Sequence, residues 1–109
     1  MAKAEAGEPA RILVVDDEVQ RSELMEAILT SGGYEVFLAC GGEEGLRLTR
    51  ETNPDHILLD LMMPGMSGLE VMAKLGELIP DSPVIIVTAN STSDNAITAL
   101  RLGAFDVIV

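Results

Sequence analysis

The sequence predicts an α/β domain: a doubly wound, parallel five-stranded sheet in the order 2-1-3-4-5, with helices on both faces. Three observations predict it. First, five short β-rich runs recur along the chain, "RILVVD", "YEVFLA", "DHILLD", "PVIIVT" and "AFDVIV". Second, runs one, three and four are nearly continuous in apolar residues, the pattern of parallel strands buried on both faces. Third, the segments between the runs carry apolar residues at helical spacing, so strand and helix alternate throughout. Right-handed crossovers then leave few topologies, of which 2-1-3-4-5 is the simplest.

Residues 1–10, "MAKAEAGEPA", read as a flexible lead-in of Ala, Glu, Gly and Pro. Residues 11–109 read as one domain. After the first strand, "EVQRSELMEAILTSGG" places Leu24, Met25, Ile28 and Leu29 on one helical face and stops at Gly32 and Gly33. The second helix, "GGEEGLRLTRET", is weaker, with Leu46 and Leu48 as its apolar content. The third, "SGLEVMAKLGELI", has a stripe of Val71, Met72, Leu75, Leu78 and Ile79, with Ser67 as N-cap. A fourth, "SDNAITALRLG", uses Ala96, Ile97 and Leu100 and ends at Gly103. The sequence stops at Val109, at the close of the fifth strand, where such a sheet ordinarily continues into one more helix. The expected domain is therefore truncated before its final helix, with apolar surface from Phe105, Val107, Ile108 and Val109 partly bare.

Composition narrows the function. The chain has 109 residues, enough for one domain, and 48% are hydrophobic, enough for a core. The 7 basic residues against 18 acidic ones give a net charge of −11, which argues against direct binding to nucleic acid or to an anionic membrane. One cysteine, Cys40, offers no internal disulfide, and no apolar run has the length of a membrane span. These features lead to the expectation of a cytoplasmic protein.

The chemistry gathers in carboxylates. In open parallel sheets, ligands bind beyond the carboxyl ends of the strands, where the strand order reverses. Strand one ends in Asp16-Asp17 and strand three in Asp60, so this topology brings three acids to one rim. Taken singly, Asp17 could cap the first helix and Asp60 could be an ordinary loop acid. Together they repel: two carboxylates about 5 Å apart cost roughly 3 kcal/mol at an effective dielectric of 20. Either one acid is protonated or a cation sits among them. A small, anionic, all-oxygen site suits Mg²⁺.

The blocks "ILVVDDE", "ILLDLMMPGMSGLE", "VIIVTA" and "GAFDVIV" occur in order over nearly the whole chain. As a set they resemble the receiver domain of two-component response regulators, a flavodoxin-like fold. The resemblance implies that Asp60 is the phosphoacceptor, taking a phosphoryl group from a sensor histidine kinase. It implies Mg²⁺ held by Asp17, Asp60 and the backbone carbonyl of Met62, with Asp16 acting through water. Thr88 matches the hydroxyl that turns toward the acyl phosphate, and the N–H of Ala89 matches a phosphoryl contact. Such a domain is a conformational switch that supports its own phosphorylation, not an enzyme with a separate substrate. Asp60 has no basic residue in its own loop, and on this reading its partner is the metal. Pro64, Gly65 and Gly68 shape the turn that keeps the rim open.

Several positions depart from the pattern. The family carries a lysine just after the last strand, where this sequence ends, and an aromatic residue where Val107 stands. The face built by the final helix serves many receivers as a dimer interface. This leaves open a homodimer and an output domain lost C-terminally. Met62 and Asn90 flank the phosphoryl site, and an apolar Met62 cannot orient water, so slow self-dephosphorylation is expected. His56 begins strand three, away from the rim, and reads as structural. Cys40 reads as a buried or half-buried small residue, and Met25, Met66 and Met72 as packing. Two other chemistries fit poorly. An aspartate-nucleophile phosphatase wants D-x-D at the first strand end, where this chain has Asp16-Asp17-Glu18. A flavin carrier wants phosphate-binding donors there. A truncated receiver used only for protein interaction remains the main alternative.

Overall fold

The computed structural model describes residues 8–60, 68–78, 83–87 and 106–108. Its elements run β1 (Arg11–Val15), α1 (Val19–Ser31), β2 (Glu35–Ala39), α2 (Gly42–Thr52), β3 (His56–Leu59), α3 (Gly68–Leu78), β4 (Val84–Val87) and β5 (Asp106–Ile108). The strands form one sheet in the order β2-β1-β3-β4-β5, with every neighbouring pair parallel. This is the predicted doubly wound architecture. The helix expected over "SDNAITALRLG" lies outside the described residues, as do Ser67 and the Pro64-Gly65 turn.

The main buried cluster among the described residues lies on one face of the sheet. Strand alternation turns Leu13 and Val15 of β1, Ile57 and Leu59 of β3, and Ile86 of β4 to that face, all wholly buried. Val71, Met72 and Leu75 of α3 and Leu46 of α2 close over them. Side chains of this kind stabilise the fold by about 1.5–3 kcal/mol each when fully buried. The α2 helix comes very close: a Cβ added at Gly45 would lie 2.9 and 3.0 Å from the two methyl carbons of Val15. Only glycine lets α2 approach the sheet this closely.

The opposite face carries Ile12, Val14, Leu58 and Ile85, with α1 beside it, and α1 corrects a sequence expectation. Leu24 and Ile28 do not share the inward face with Met25 and Leu29; they are 60% and 56% exposed, while Ser22 is buried. At about 100° per residue, positions 22, 25 and 29 fall within one sector and positions 24 and 28 lie well outside it. A polar residue takes the innermost place because its hydroxyl finds a partner there: Ser22 Oγ donates to the carbonyl of Asp16 at 3.3 Å.

The helix ends follow local chemistry. Glu18, not Asp17, caps α1, its carboxylate accepting the N–H groups of Gln20 and Arg21 at 3.2 and 2.9 Å. The chain leaves α1 through Gly32 and then Gly33, whose φ of 94° lies in the region glycine favours. Cys40 is exposed rather than buried, because it sits one residue past the end of β2. Its N–H donates to Glu44 Oε1 at 2.8 Å.

Candidate functional site

The rim acids are positioned by the sheet ladder itself. Parallel pairing continues one hydrogen bond past the strand ends: the N–H of Asp16 donates to the carbonyl of Ala39, and that of Asp60 to the carbonyl of Val15, both at 3.0 Å. These bonds fix both backbones at the C-terminal edge of β1 and β3, on either side of the point where strand order reverses. Carboxylate oxygens of Asp16, Asp17 and Asp60 all lie within 4.8 Å of one another. Asp16 and Asp60 are only 7% and 4% exposed, and Asp17 is more open to solvent. Met62, Thr88 and Ala89 lie outside the described residues.

A residue that the sequence reading did not single out completes the cluster. Arg21, in the first turn of α1, reaches back over the rim. Its Nε donates to Asp16 Oδ2 at 2.6 Å and its Nη2 to Asp16 Oδ1 at 2.9 Å, a two-pronged grip on one carboxylate. The same Nη2 donates to Asp60 Oδ2 at 3.0 Å. The loop after Asp60 carries no basic residue in the sequence, and a basic partner arrives instead from another element. The signal was present in the sequence as Arg21 one helical turn beyond Asp16-Asp17, but only the fold shows which way the side chain turns.

The electrostatics follow from this geometry. Burial alone would push the Asp16 carboxyl up. The hydrogen bonds from Arg21 and from the Glu18 N–H, with the charge of Arg21, outweigh burial and hold it below the usual carboxylate range. Asp16 in turn raises the guanidinium further above its already high value. Three hard oxygen donors so close together also fit a divalent cation. Mg²⁺ binds oxygens at about 2.0–2.1 Å, so its ligands sit within about 4.2 Å of each other, a small contraction from the present spread.

A doubly wound domain with an acidic rim at the switch point is a class shared by several chemistries, and comparison with known proteins narrows it. The family profile of the response regulator receiver domain matches residues 12–109. The transcriptional regulatory protein ZraR of Klebsiella oxytoca is 38% identical over 104 residues, covering 95% of this chain and 24% of that protein. A CheY-like response regulator receiver domain protein from Methanospirillum hungatei superposes with a TM-score of 0.90 at 33% identity, covering 93% of this chain and 81% of that one. CheY in a CheX–CheY–BeF₃–Mg²⁺ complex from Borrelia burgdorferi gives 0.90 at 30% identity, covering 95% and 80%. The chain belongs to the response regulator receiver domain family. It spans 24% of the ZraR relative and 44% of another, AfsQ1 of Streptomyces coelicolor. Receiver domains of response regulators are signalling switches of two-component systems rather than ordinary enzymes.

Proposed function

We propose that the chain accepts a phosphoryl group on Asp60 from a sensor histidine kinase and passes the change to an output domain or partner. The observation that carries this reading is the meeting of Asp16, Asp17 and Asp60 at the switch point of a receiver-family sheet. In the transfer, a carboxylate oxygen of Asp60 attacks phosphorus in line. The new P–O bond forms as the P–N bond to the kinase histidine breaks, and the departing ring nitrogen takes a proton. Asp17 and Asp60, with the Met62 carbonyl, would hold Mg²⁺, and Asp16 would hold it through water. Bound there, the ion supplies the positive charge that lets an anionic nucleophile approach an anionic phosphoryl group.

The residues of the chain do the rest. The ladder bonds to Asp16 and Asp60 keep the nucleophile and its neighbour in register, so little reorganisation is needed at the moment of transfer. Thr88 and the N–H of Ala89, which follow β4 in the sequence, would meet the phosphoryl oxygens and carry the change outward as a population shift. Met62, which cannot orient water, would make the acyl phosphate slow to hydrolyse. The same reading takes residues 11–109 as the receiver unit and 1–10 as a lead-in, places the domain in the cytoplasm and leaves DNA contact to other parts of a longer protein. A homodimer belongs to it as well.

The direct test is treatment with acetyl phosphate or beryllofluoride, with and without Mg²⁺, read by intact mass and by amide shifts near Asp60. Uptake of one phosphoryl group that needs both Mg²⁺ and Asp60 is the expected result. A chain that stays unmodified with Mg²⁺ present would favour the pure interaction module.

A further inference from the structure

We propose that Arg21 is a built-in competitor for the divalent cation. Its guanidinium holds the Asp16 and Asp60 carboxylates that would otherwise face the ion, and so sets how tightly the rim binds Mg²⁺. The inference rests on the metal-site reading above.

Three observations carry it. The first is the contact set: Arg21 engages both oxygens of Asp16 and Oδ2 of Asp60, at 2.6 to 3.0 Å. A divalent ion bound to Asp60 and facing Asp16 would meet the like charge of the guanidinium that lies against both carboxylates. Metal entry and this arginine pose therefore oppose each other. The second is burial. Asp16 and Asp60 are almost wholly buried, so their charges need a compensating cation, whereas the Arg21 side chain is 42% exposed and can swing into solvent without opening the core. The third is position. Arg21 lies in the first turn of α1, which contains no acidic residue, at the end where the helix dipole disfavours a cation. The carboxylates, not the helix, hold it there. Its planar fork is suited to gripping two acids at once, which a lysine would do less well. The site thus carries an internal counter-ion that leaves when a stronger one arrives, and phosphoryl uptake acquires a magnesium threshold set by one side chain.

The test is Mg²⁺ titration of the full 109-residue chain and its variants, by calorimetry and by amide shifts of Asp16 and Asp60. Arg21→Ala and Arg21→Gln are compared with wild type, Gln keeping the side-chain length and helix propensity in case Ala folds poorly. Arg47→Ala is the control for losing a positive charge elsewhere; Arg47 lies on exposed α2 surface, paired with Glu44 and Glu51. Both Arg21 variants should bind Mg²⁺ about tenfold more tightly than wild type at matched ionic strength, and Arg47→Ala should move by less than about twofold. The Arg21 variants should also unfold at lower temperature in chelator and recover wild-type stability at saturating Mg²⁺. Unchanged or weaker Mg²⁺ binding by both variants, with wild type binding normally, overturns the competitor role. If neither wild type nor variants bind Mg²⁺, the metal-site reading fails, and the competition falls with it.

Discussion

The two ends of the sheet both bury carboxylates, and they satisfy them differently. At the N-terminal end, Asp55 is 5% exposed and accepts the backbone N–H of Arg11 at 2.8 Å, while the N–H of Asp55 donates to the Arg11 carbonyl at the same distance. The Arg11 side chain ties down the neighbourhood, with Nε on Glu35 Oε1 and Nη1 on the carbonyl of Thr52. At the C-terminal end, Asp16 and Asp60 are as deeply buried, yet a half-exposed side chain, Arg21, lies across both. A backbone donor cannot leave without breaking the strand, whereas a guanidinium on a flexible stem can. The first arrangement suits an acid that holds structure, and the second suits acids that must change partners.

The largest effect expected from breaking this contrast is at Asp60. Asp60→Asn should abolish phosphoryl uptake in the acetyl phosphate assay while leaving the chain folded, because the amide keeps the shape and removes one of the repelling charges. An unfolded D60N would instead put Asp60 with the structural acids. Next comes Asp55→Ala. It orphans a partly buried N–H on β1 and should lower unfolding free energy by about 2 kcal/mol in urea, with Mg²⁺ affinity unchanged. A loss of Mg²⁺ binding in D55A would erase the distinction between the ends.

Two smaller changes sharpen the contrast just behind the rim. In Gly45→Ala, the added methyl meets Val15, next in sequence to Asp16. Alanine gains about 1 kcal/mol in helix propensity, but overpacking against a wholly buried, stiff valine costs about 1–3 kcal/mol. A net loss near 1 kcal/mol is expected, measured by denaturant midpoint, with some rise in the magnesium needed for uptake. Glu18→Ala removes the α1 cap that positions Arg21 and should cost about 1 kcal/mol. Amide exchange in the first turn of α1 should quicken in this variant, while β1 stays protected.

Much of this could be read from the chain. The continuous apolar runs of β1, β3 and β4 and the helical spacing between them implied the parallel order, because a strand buried on both faces has little choice of neighbours. Asp16 and Asp60 could be placed at one rim for the same reason: a residue that directly follows a parallel strand is carried to its C-terminal edge. Exposure within α1 was not legible. Leu24 and Ile28 are as apolar as Met25 and Leu29, and composition cannot tell which of two adjoining sectors meets the sheet. Asp55 gave no sign either, since its backbone partner lies 44 positions away, on β1.

What the sequence determined by itself was the alternation of elements and the strand ends at which the acids fall, since both depend on local periodicity and on the order of residues along the chain. What the tertiary structure alone decided was the company those acids keep. Asp16 and Asp60 lie on different strands and Arg21 on a helix, and the distances that let one guanidinium bridge two carboxylates exist only after the helix has docked against the sheet. Ion pairing falls off with distance in space, not along the chain, so no reading of neighbours in sequence could have supplied it.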